Sequence, residues 1–523
     1  MFKKRIFSDL KSDLPAGLVV FLVALPLCLG VAQASNPTGL DVIKPLSGLI
    51  AGIVGGIIIG FVSGSKLSVS GPAAGLTAVV GSSITTLGTF ELFLCATIVA
   101  GFLQIIMGIA KLGVVGAYIP NTVIKGMLSA IGIILILKQF PKLIGWDIDP
   151  EGDETFIQVD GENTFTEIIQ ALNHISPVAL LIGIVGIIIL TIYELPQVKK
   201  ITLLTYIPGP LIVVLAGVFI NQYFVQNGNT YKLDSEHLVN LINIANPADM
   251  MNYLPRPNFA GLLQYKVWLV AITIALVASL ETLLGVEAID KIDPEKANTP
   301  TNRELLAQGS GNFISGLLGG LPLTSVIVRS SANVNSGAKS KLSTIIHGFL
   351  LLISLLFLAP LINKIPNAAL AAILIFTGYK LAKISLFKLM YSKGWDQFIP
   401  FIVTIVAILL TDLLKGVVVG IIVGLFFVTR SNYRTAITVI NDGSNYLLKL
   451  KKEVSFLNKL KVKNTLSAIP NNSYLLIETT SANFIDLDVQ EEIVEFISTC
   501  KARNIRLEIK SAYGKKFLFN NIT

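Results

Sequence analysis

What most constrains this chain is a succession of apolar stretches, about fourteen of them, that fills its first 430 residues with almost nothing water-soluble in between. A bilayer core takes about 20 apolar residues per helical span. Because lipid offers no partner for backbone groups, such stretches are tolerated there as helices. The runs fall near 16–34, 44–62, 70–87, 92–111, 117–138, 176–193, 207–224, 261–286, 304–319, 323–336, 342–361, 366–382, 397–413 and 415–430, several of them shortened or broken by Gly and Pro. Composition agrees: 53% of the 523 residues are hydrophobic and 14% are charged, where soluble domains carry about one quarter charged residues. The predicted fold class is an all-α polytopic membrane domain of about 14 transmembrane segments.

The formal charge is +8, yet the basic residues sit in short segments between spans rather than on one stripe or tail, which argues against a nucleic-acid partner. Membrane topology accounts for them. With Lys3, Lys4 and Arg5 inside, even-numbered spans return to the inner side, and Lys199, Lys200, Arg303, Lys339, Lys341, Lys383, Lys388, Lys393, Arg430 and Arg434 all fall there, as the positive-inside bias demands. The acidic loop with Asp147, Asp149, Glu151, Asp153, Glu154, Asp160, Glu162 and Glu167 falls outside. Residues 1–15 form a basic, amphipathic segment with no small-residue cleavage signal, so the first span is expected to be retained. Cys28, Cys95 and Cys500 are far apart in sequence and read as free thiols.

After Arg434 the pattern becomes charged and alternating. Residues 446–450, 474–478 and 505–509 read as strands and 489–500 as an amphipathic helix. The expected domains are a cytoplasmic segment over 1–15, a transport domain over 16–430, and a small cytoplasmic α/β domain over 435–523.

Within the third span, Ser68-Val69-Ser70-Gly71-Pro72-Ala73-Ala74-Gly75-Leu76-Thr77 places a Gly-Pro break just ahead of a helix-forming run. Ser70 is positioned to cap that helix, with Pro72 in its first turn. The tenth span repeats the device at Gly319-Gly320-Leu321-Pro322-Leu323-Thr324-Ser325, and its proline follows Pro72 by 250 residues. Fourteen spans divided into two sevens repeat at about that distance, which predicts two inverted halves. Paired broken helices in corresponding positions of two halves point to a transporter binding site near the bilayer midplane. Helices that start there aim unpaired N–H groups and positive dipole ends at whatever lies before them, which favours an anion.

Two charged residues lie in the same region. Arg329 follows Pro322 by seven residues, about 10 Å of helix at 1.5 Å per residue, and either attracts the anion, snorkels toward the interface or pairs with a carboxylate. Glu281 sits deep in the eighth span. It reads as a proton carrier or cation ligand, or as half of a fixed salt bridge, with Arg329 as the candidate partner. His347 reads as a packing residue without a role. The glycines of 52–60 have close-packing spacing and no following Lys-Ser or Lys-Thr, so they are not a phosphate loop, and the chain carries no Walker motif. No nucleophile, base and metal spacing converges on one place, so the chain is not expected to be an enzyme.

At these residues the sequence resembles the SulP anion permeases, also called solute carrier family 26, along essentially its whole length. The resemblance rests on Ser70 to Thr77, on Ser279-Leu280-Glu281-Thr282-Leu283-Leu284 and on Leu321-Pro322-Leu323-Thr324-Ser325-Val326-Ile327-Val328-Arg329-Ser330-Ser331. It implies a seven-plus-seven inverted repeat with a core domain moving against a gate domain, commonly a homodimer, and a cytoplasmic STAS-like domain. It also implies anion contacts at Leu27 and Cys28 on the first span, Ala73 and Ala74 at the third, and Thr324 and Ser325 at the tenth. Arg329 matches a basic residue of some animal members, and Glu281 the position tied to coupling protons or sodium. The chain departs from many relatives in having Leu27 in place of Gln and in lacking a Gly-Ala-Gly-Ala run after Pro322.

The expected function is secondary transport of bicarbonate or sulfate by proton- or sodium-coupled symport or by anion exchange. An uncoupled anion channel and a fold-sharing nucleobase or organic-acid carrier are the alternatives. No cofactor is expected beyond the coupling Na+ or H+. The expected partners are the inorganic anion, membrane lipid and a second copy of the chain. The expected location is the bacterial inner (cell) membrane, with both termini cytoplasmic.

Overall fold

The computed structural model describes residues 9–37, 42–114, 119–147, 156, 163–198, 207–227, 232–241, 254–512 and 517–521. Lys3, Lys4, Arg5, Lys199, Lys200 and the acidic residues Asp149, Glu151, Asp153, Glu154, Asp160 and Glu162 lie outside them, as does the Arg434 side chain. The chain divides into two compact units, Met1–Ile421 and Ile422–Thr523.

The first half of the membrane domain contains α1 (Leu10–Ala34), α2 (Pro45–Val62), a short strand β1 (Ser70–Pro72), α3 (Thr77–Leu87), α4 (Phe90–Ile109), α5 (Asn121–Leu143), a short α6 (Thr164–Ala171), α7 (Pro177–Glu194) and α8 (Gly209–Gln226). The second half contains α9 (Tyr265–Ile292), α10 (Thr301–Leu317), strand β2 (Leu323–Ser325), α11 (Ile327–Asn335), α12 (Leu342–Ile362), α13 (Asn367–Leu381), a short α14 (Ile384–Ser392), α15 (Trp395–Leu410) and α16 (Leu413–Thr435). Ten helices among the described residues are long and apolar enough to cross a membrane. With the shorter α3 and α15, the polar α10 and the half-helix α11, they make the fourteen expected segments. Helices α6 and α14 were not anticipated; both are too short to span.

The principal packings recur with the halves exchanged. Helix α1 packs on α12 as α9 packs on α4, α2 on α12 as α10 on α4, and α5 on α15 as α13 on α7. Helices α5 and α13 pack on each other, and there the symmetry is reciprocal. A Cβ on Gly132 would lie 2.5 Å from the Gly378 carbonyl oxygen, and one on Gly378 would lie 2.5 Å from that of Gly132. Two backbones in contact at matching positions are what small residues permit in lipid, where van der Waals packing replaces hydrophobic burial as the force between helices. The membrane domain is thus a seven-plus-seven inverted repeat. Its helices α1 to α4 and α9 to α12 form a core bundle, and α5, α7, α8, α13 and α15 form a gate bundle.

Arg303 Nε donates to the Val62 carbonyl and Lys341 Nζ to that of Phe61, both at 2.9 Å. Cations at the starts of α10 and α12 therefore sit on the open carbonyls and negative dipole end of α2. At the first turn of α1, Asp13 is buried and accepts the backbone N–H groups of Lys339 and Ser340 at 2.8 and 3.1 Å, together with the Ser340 hydroxyl. The start of α1, the end of α2 and the segments before α10 and α12 share one face. At another set of ends, Val239 donates to the Ile365 carbonyl at 3.0 Å, and His237 Nδ1 lies 2.7 Å from Asp147 Oδ2, beyond the end of α5.

The second unit is a four-stranded sheet of β3 (Ile437–Asp442), β4 (Asn445–Val454), β5 (Tyr474–Ile485) and β6 (Arg506–Lys510) in that spatial order, with α17 (Lys459–Ser467) and α18 (Leu487–Cys500). Strand β3 pairs antiparallel with β4, and the other two pairings are parallel. This is a small STAS-like α/β domain. Asp486 ends β5 and caps α18 by accepting the Asp488 N–H at 3.1 Å. Strand β3 and helix α17 were not expected from the sequence.

Candidate functional site

The two broken spans meet. Strands β1 and β2 pair antiparallel, with Ser70 opposite Ser325, Gly71 opposite Thr324 and Pro72 opposite Leu323. Each strand leads into a half-helix: β1 through a 3-10 turn, Ala74–Leu76, into α3, and β2 directly into α11. Because the strands are antiparallel, the helices depart in opposite directions and both positive ends remain at the junction.

An isolated two-stranded pair at this depth needs its outer edges satisfied. On the outer edge of β2, Leu323 turns both backbone groups away from β1. Its N–H donates to Asn312 Oδ1 at 2.7 Å, and its carbonyl accepts from Asn312 Nδ2 at 3.1 Å. Pro72, opposite Leu323, has no N–H to give, and none is required. The Ser325 N–H donates to Thr282 Oγ1 at 3.3 Å. On the outer edge of β1, Arg329 Nη2 donates to the Pro72 carbonyl at 3.3 Å.

Two sequence expectations are corrected here. Ser70 caps no helix: it lies in β1, seven residues before α3, and its Oγ accepts from Gln308 Nε2 at 2.6 Å. Pro72 likewise lies in the strand, outside any first helical turn. Arg329 does not stand 10 Å along a helix, because residues 323–325 are extended. It occupies the first turn of α11, at the junction itself.

Arg329 is fully buried. Apart from the bond to Pro72, its Nε and Nη1 have no hydrogen-bond partner among the described residues. A guanidinium held this way is a buried cation with directed donors to spare, a costly state that an anion relieves. It lies close to the Cys28 thiol on α1. The backbone makes room for it at Gly71, where a Cβ would fall 2.0 Å from Nη1. Thr324 Oγ1 is also buried and without a hydrogen-bond partner among the described residues, as are both ring nitrogens of His347. Ser325 differs, for its hydroxyl is engaged with that of Ser68 at 2.5 Å. Leu27 is buried beside Cys28 on α1, Ala73 is buried where β1 gives way to the turn, and Ala74 begins that turn.

Helix α9 crosses both half-helix starts. Glu281 sits against the first, where a Cβ on Gly75 would meet its Oε1 at 2.9 Å. One turn further on, Gly285 lies against the second, where a Cβ would fall 2.6 Å from the Ser325 carbonyl oxygen. The structure thus gathers Cys28, Ser70, Ala73, Ala74, Glu281, Thr324, Ser325 and Arg329 from four spans of the core bundle around one junction.

Sequence reading anticipated a span at 304–319 but missed the polar stripe on α10. Glu304, Gln308 and Asn312 recur every four residues on it, all fully buried. Glu304 accepts from Ser63 Oγ at 2.5 Å and from Gln308 Nε2 at 3.0 Å. Ser315 Oγ donates to the Leu321 carbonyl at 2.7 Å. The signal was a polar stripe at helical spacing inside an apolar region. Among the described residues, no group of three or more His, Cys, Asp or Glu is placed to hold a metal ion.

The architecture and sequence have known counterparts. The signature of the sulfate permease family matches residues 10–407. Among curated proteins, the chain is 28% identical to the putative sulfate transporter YvdB of Bacillus subtilis, over 83% of this chain and 77% of that one. It is also 28% identical to the bicarbonate transporter BicA of Picosynechococcus, over 73% and 63% of the two chains. Among solved structures, the transmembrane domain of a cyanobacterial BicA aligns with a TM-score of 0.55 at 24% identity, covering 78% of this chain and 98% of that one. The murine solute carrier 26 family member A9 aligns with a TM-score of 0.67 at 15% identity, covering 95% and 85%. With a family match spanning most of its length, the chain belongs to the sulfate permease family.

Proposed function

We propose that this integral membrane protein is a secondary transporter of small inorganic anions, with bicarbonate or sulfate as substrate. The observation that carries this reading is the set of buried, unpartnered donors at the β1/β2 junction: Arg329 Nε and Nη1 with the Thr324 hydroxyl, between two inward-facing helix starts. Positive charge and N–H groups in low dielectric favour a compact anion. The flanking Leu27, Cys28, Ala73 and Ala74 offer little to the hydrogen-bonding rim of a nucleobase, which disfavours a ring carrier.

In this reading the core bundle, which holds every site residue, moves against the gate bundle and exposes the junction to either side in turn. Uptake is coupled to protons or sodium through Glu281, or proceeds as anion exchange. Residues 16–430 act as the transport domain and 435–523 as the STAS-like domain. The protein works as a homodimer in the cell membrane with both termini cytoplasmic. The test is uptake of labelled sulfate, bicarbonate, chloride and fumarate by reconstituted vesicles at two pH values, with and without sodium. Saturable, gradient-dependent uptake of sulfate or bicarbonate is expected; a non-saturating current indifferent to ion gradients would overturn the carrier reading in favour of a channel.

A further inference from the structure

The α10 stripe does more than fill space beside the strands. A carboxamide is the side-chain group that offers an N–H donor and a C=O acceptor in the layout of a peptide. Asn312 presents that pair to Leu323 as a neighbouring strand would, at 2.7 and 3.1 Å. The other Nδ2 proton goes to Gln104 Oε1 on α4 at 2.6 Å, and Gln104 Nε2 donates to Ser279 Oγ on α9 at 3.1 Å. All four partners are buried. The bonds to Leu323 and Gln104 together fix which way the Asn312 amide faces, because a reversed amide would set oxygen against oxygen and leave two buried donors unmet. Ser279 lies two residues before Glu281, and Leu323 immediately before Thr324. A continuous line of hydrogen bonds therefore runs from the helix carrying Glu281 to the strand carrying Thr324.

We propose that Asn312 stands in as the third strand of the anion site, a positioning residue that sets where Thr324 and the first turn of α11 meet the anion. Through Gln104, it ties that position to α9 at Ser279. The inference rests on the reading of the β1/β2 junction as an anion site. It assigns Asn312 and Gln104 no contact with the anion itself.

The test is uptake of labelled sulfate and labelled bicarbonate by the full chain in vesicles, with KM and kcat determined separately. Asn312→Asp keeps the size of the side chain and the acceptor for the Leu323 N–H, but turns a second oxygen toward the Leu323 carbonyl. It is expected to raise KM about tenfold or more, with the loss in KM rather than in kcat. Gln104→Leu leaves Asn312 and its contact to Leu323 intact but releases the amide from α9, and is expected to raise KM in the same direction by about threefold. That variant decides the matter if Asn312→Asp yields no folded protein. A folded pair of variants with the KM of the unsubstituted protein, or a loss confined to kcat, overturns the inference. Absence of saturable uptake by the unsubstituted protein overturns the anion-transport reading instead.

Discussion

Gly71 lies directly against the guanidinium of Arg329, so close that a Cβ on residue 71 would stand 2.0 Å from Nη1. Glycine in the first broken span is therefore what allows the arginine of the second to reach across the junction. Gly71→Ala forces Arg329 out of place, and overpacking of this kind costs about 1–3 kcal/mol. Anion affinity is expected to fall about tenfold or more, measured as KM for labelled sulfate or bicarbonate in vesicles, while the purified protein stays monodisperse.

Stability and function should move in opposite directions at Arg329. Arg329→Met replaces a buried cation that has unpartnered donors with an apolar side chain of similar length, and is expected to raise the anion-free Tm by about 2 °C or more. The same change abolishes high-affinity uptake. Sulfate or bicarbonate at about 100 times its Kd stabilises the unsubstituted protein by about 2.7 kcal/mol, and that ligand-dependent rise in Tm is expected to vanish in the variant. A variant that loses stability and keeps the ligand-dependent rise would show Arg329 to be structural.

Glu281 faces the start of the first half-helix at Gly75, where charge on its carboxylate would act on an anion held at the junction. Glu281→Gln keeps the shape and removes the titrating group. Uphill uptake driven by a proton or sodium gradient is expected to disappear, while exchange of labelled for unlabelled anion at equal concentrations persists. Unchanged uphill uptake would remove Glu281 as the coupling group.

The contact between His237 and Asp147 makes one region pH-sensitive. The Asp147 carboxylate, hydrogen-bonded at 2.7 Å, raises the His237 pKa above its ordinary 6.5 against the opposing effect of burial, with Asp234 and Glu236 adding to the rise. A folded pKa above the unfolded one means that the stabilisation is complete below the unfolded value and is lost as pH rises through the folded value. Thermal unfolding followed from about pH 5 to 9 should show stability falling on the alkaline side of 6.5, and His237→Gln should remove that step. Backbone exchange at Val239, whose N–H is bonded to Ile365, should quicken over the same interval.

Much of the site was legible in the sequence, for a physical reason. Gly-Pro breaks inside apolar spans are too costly to persist in lipid without a purpose, so the two breaks and their 250-residue spacing announced a paired site before any contact was known. The form of the pairing was not legible. Whether a break becomes a capped helix start or an extended segment depends on whether something opposite can pair with it. Here it could: β1 and β2 satisfy one another, and Ser70 and Pro72 therefore lie in a strand rather than in a helical turn. The same extension moved Arg329 from a helix interior to the junction.

The amides were hidden for another reason. Gln104 and Asn312 are 208 residues apart, and nothing local distinguishes a polar residue facing a second helix from one facing a cavity. What the sequence supplied by itself was the number of spans, their two-fold arrangement and the expectation of an anion as ligand. Those follow from length, charge and backbone chemistry, which are properties of each segment alone. Which polar groups lack a hydrogen-bond partner among the described residues, Arg329 Nε and Nη1 and the Thr324 hydroxyl, and which are already engaged, the Ser70 and Ser325 hydroxyls, was decided by tertiary structure. A hydrogen bond between distant segments exists only once packing has brought both partners together.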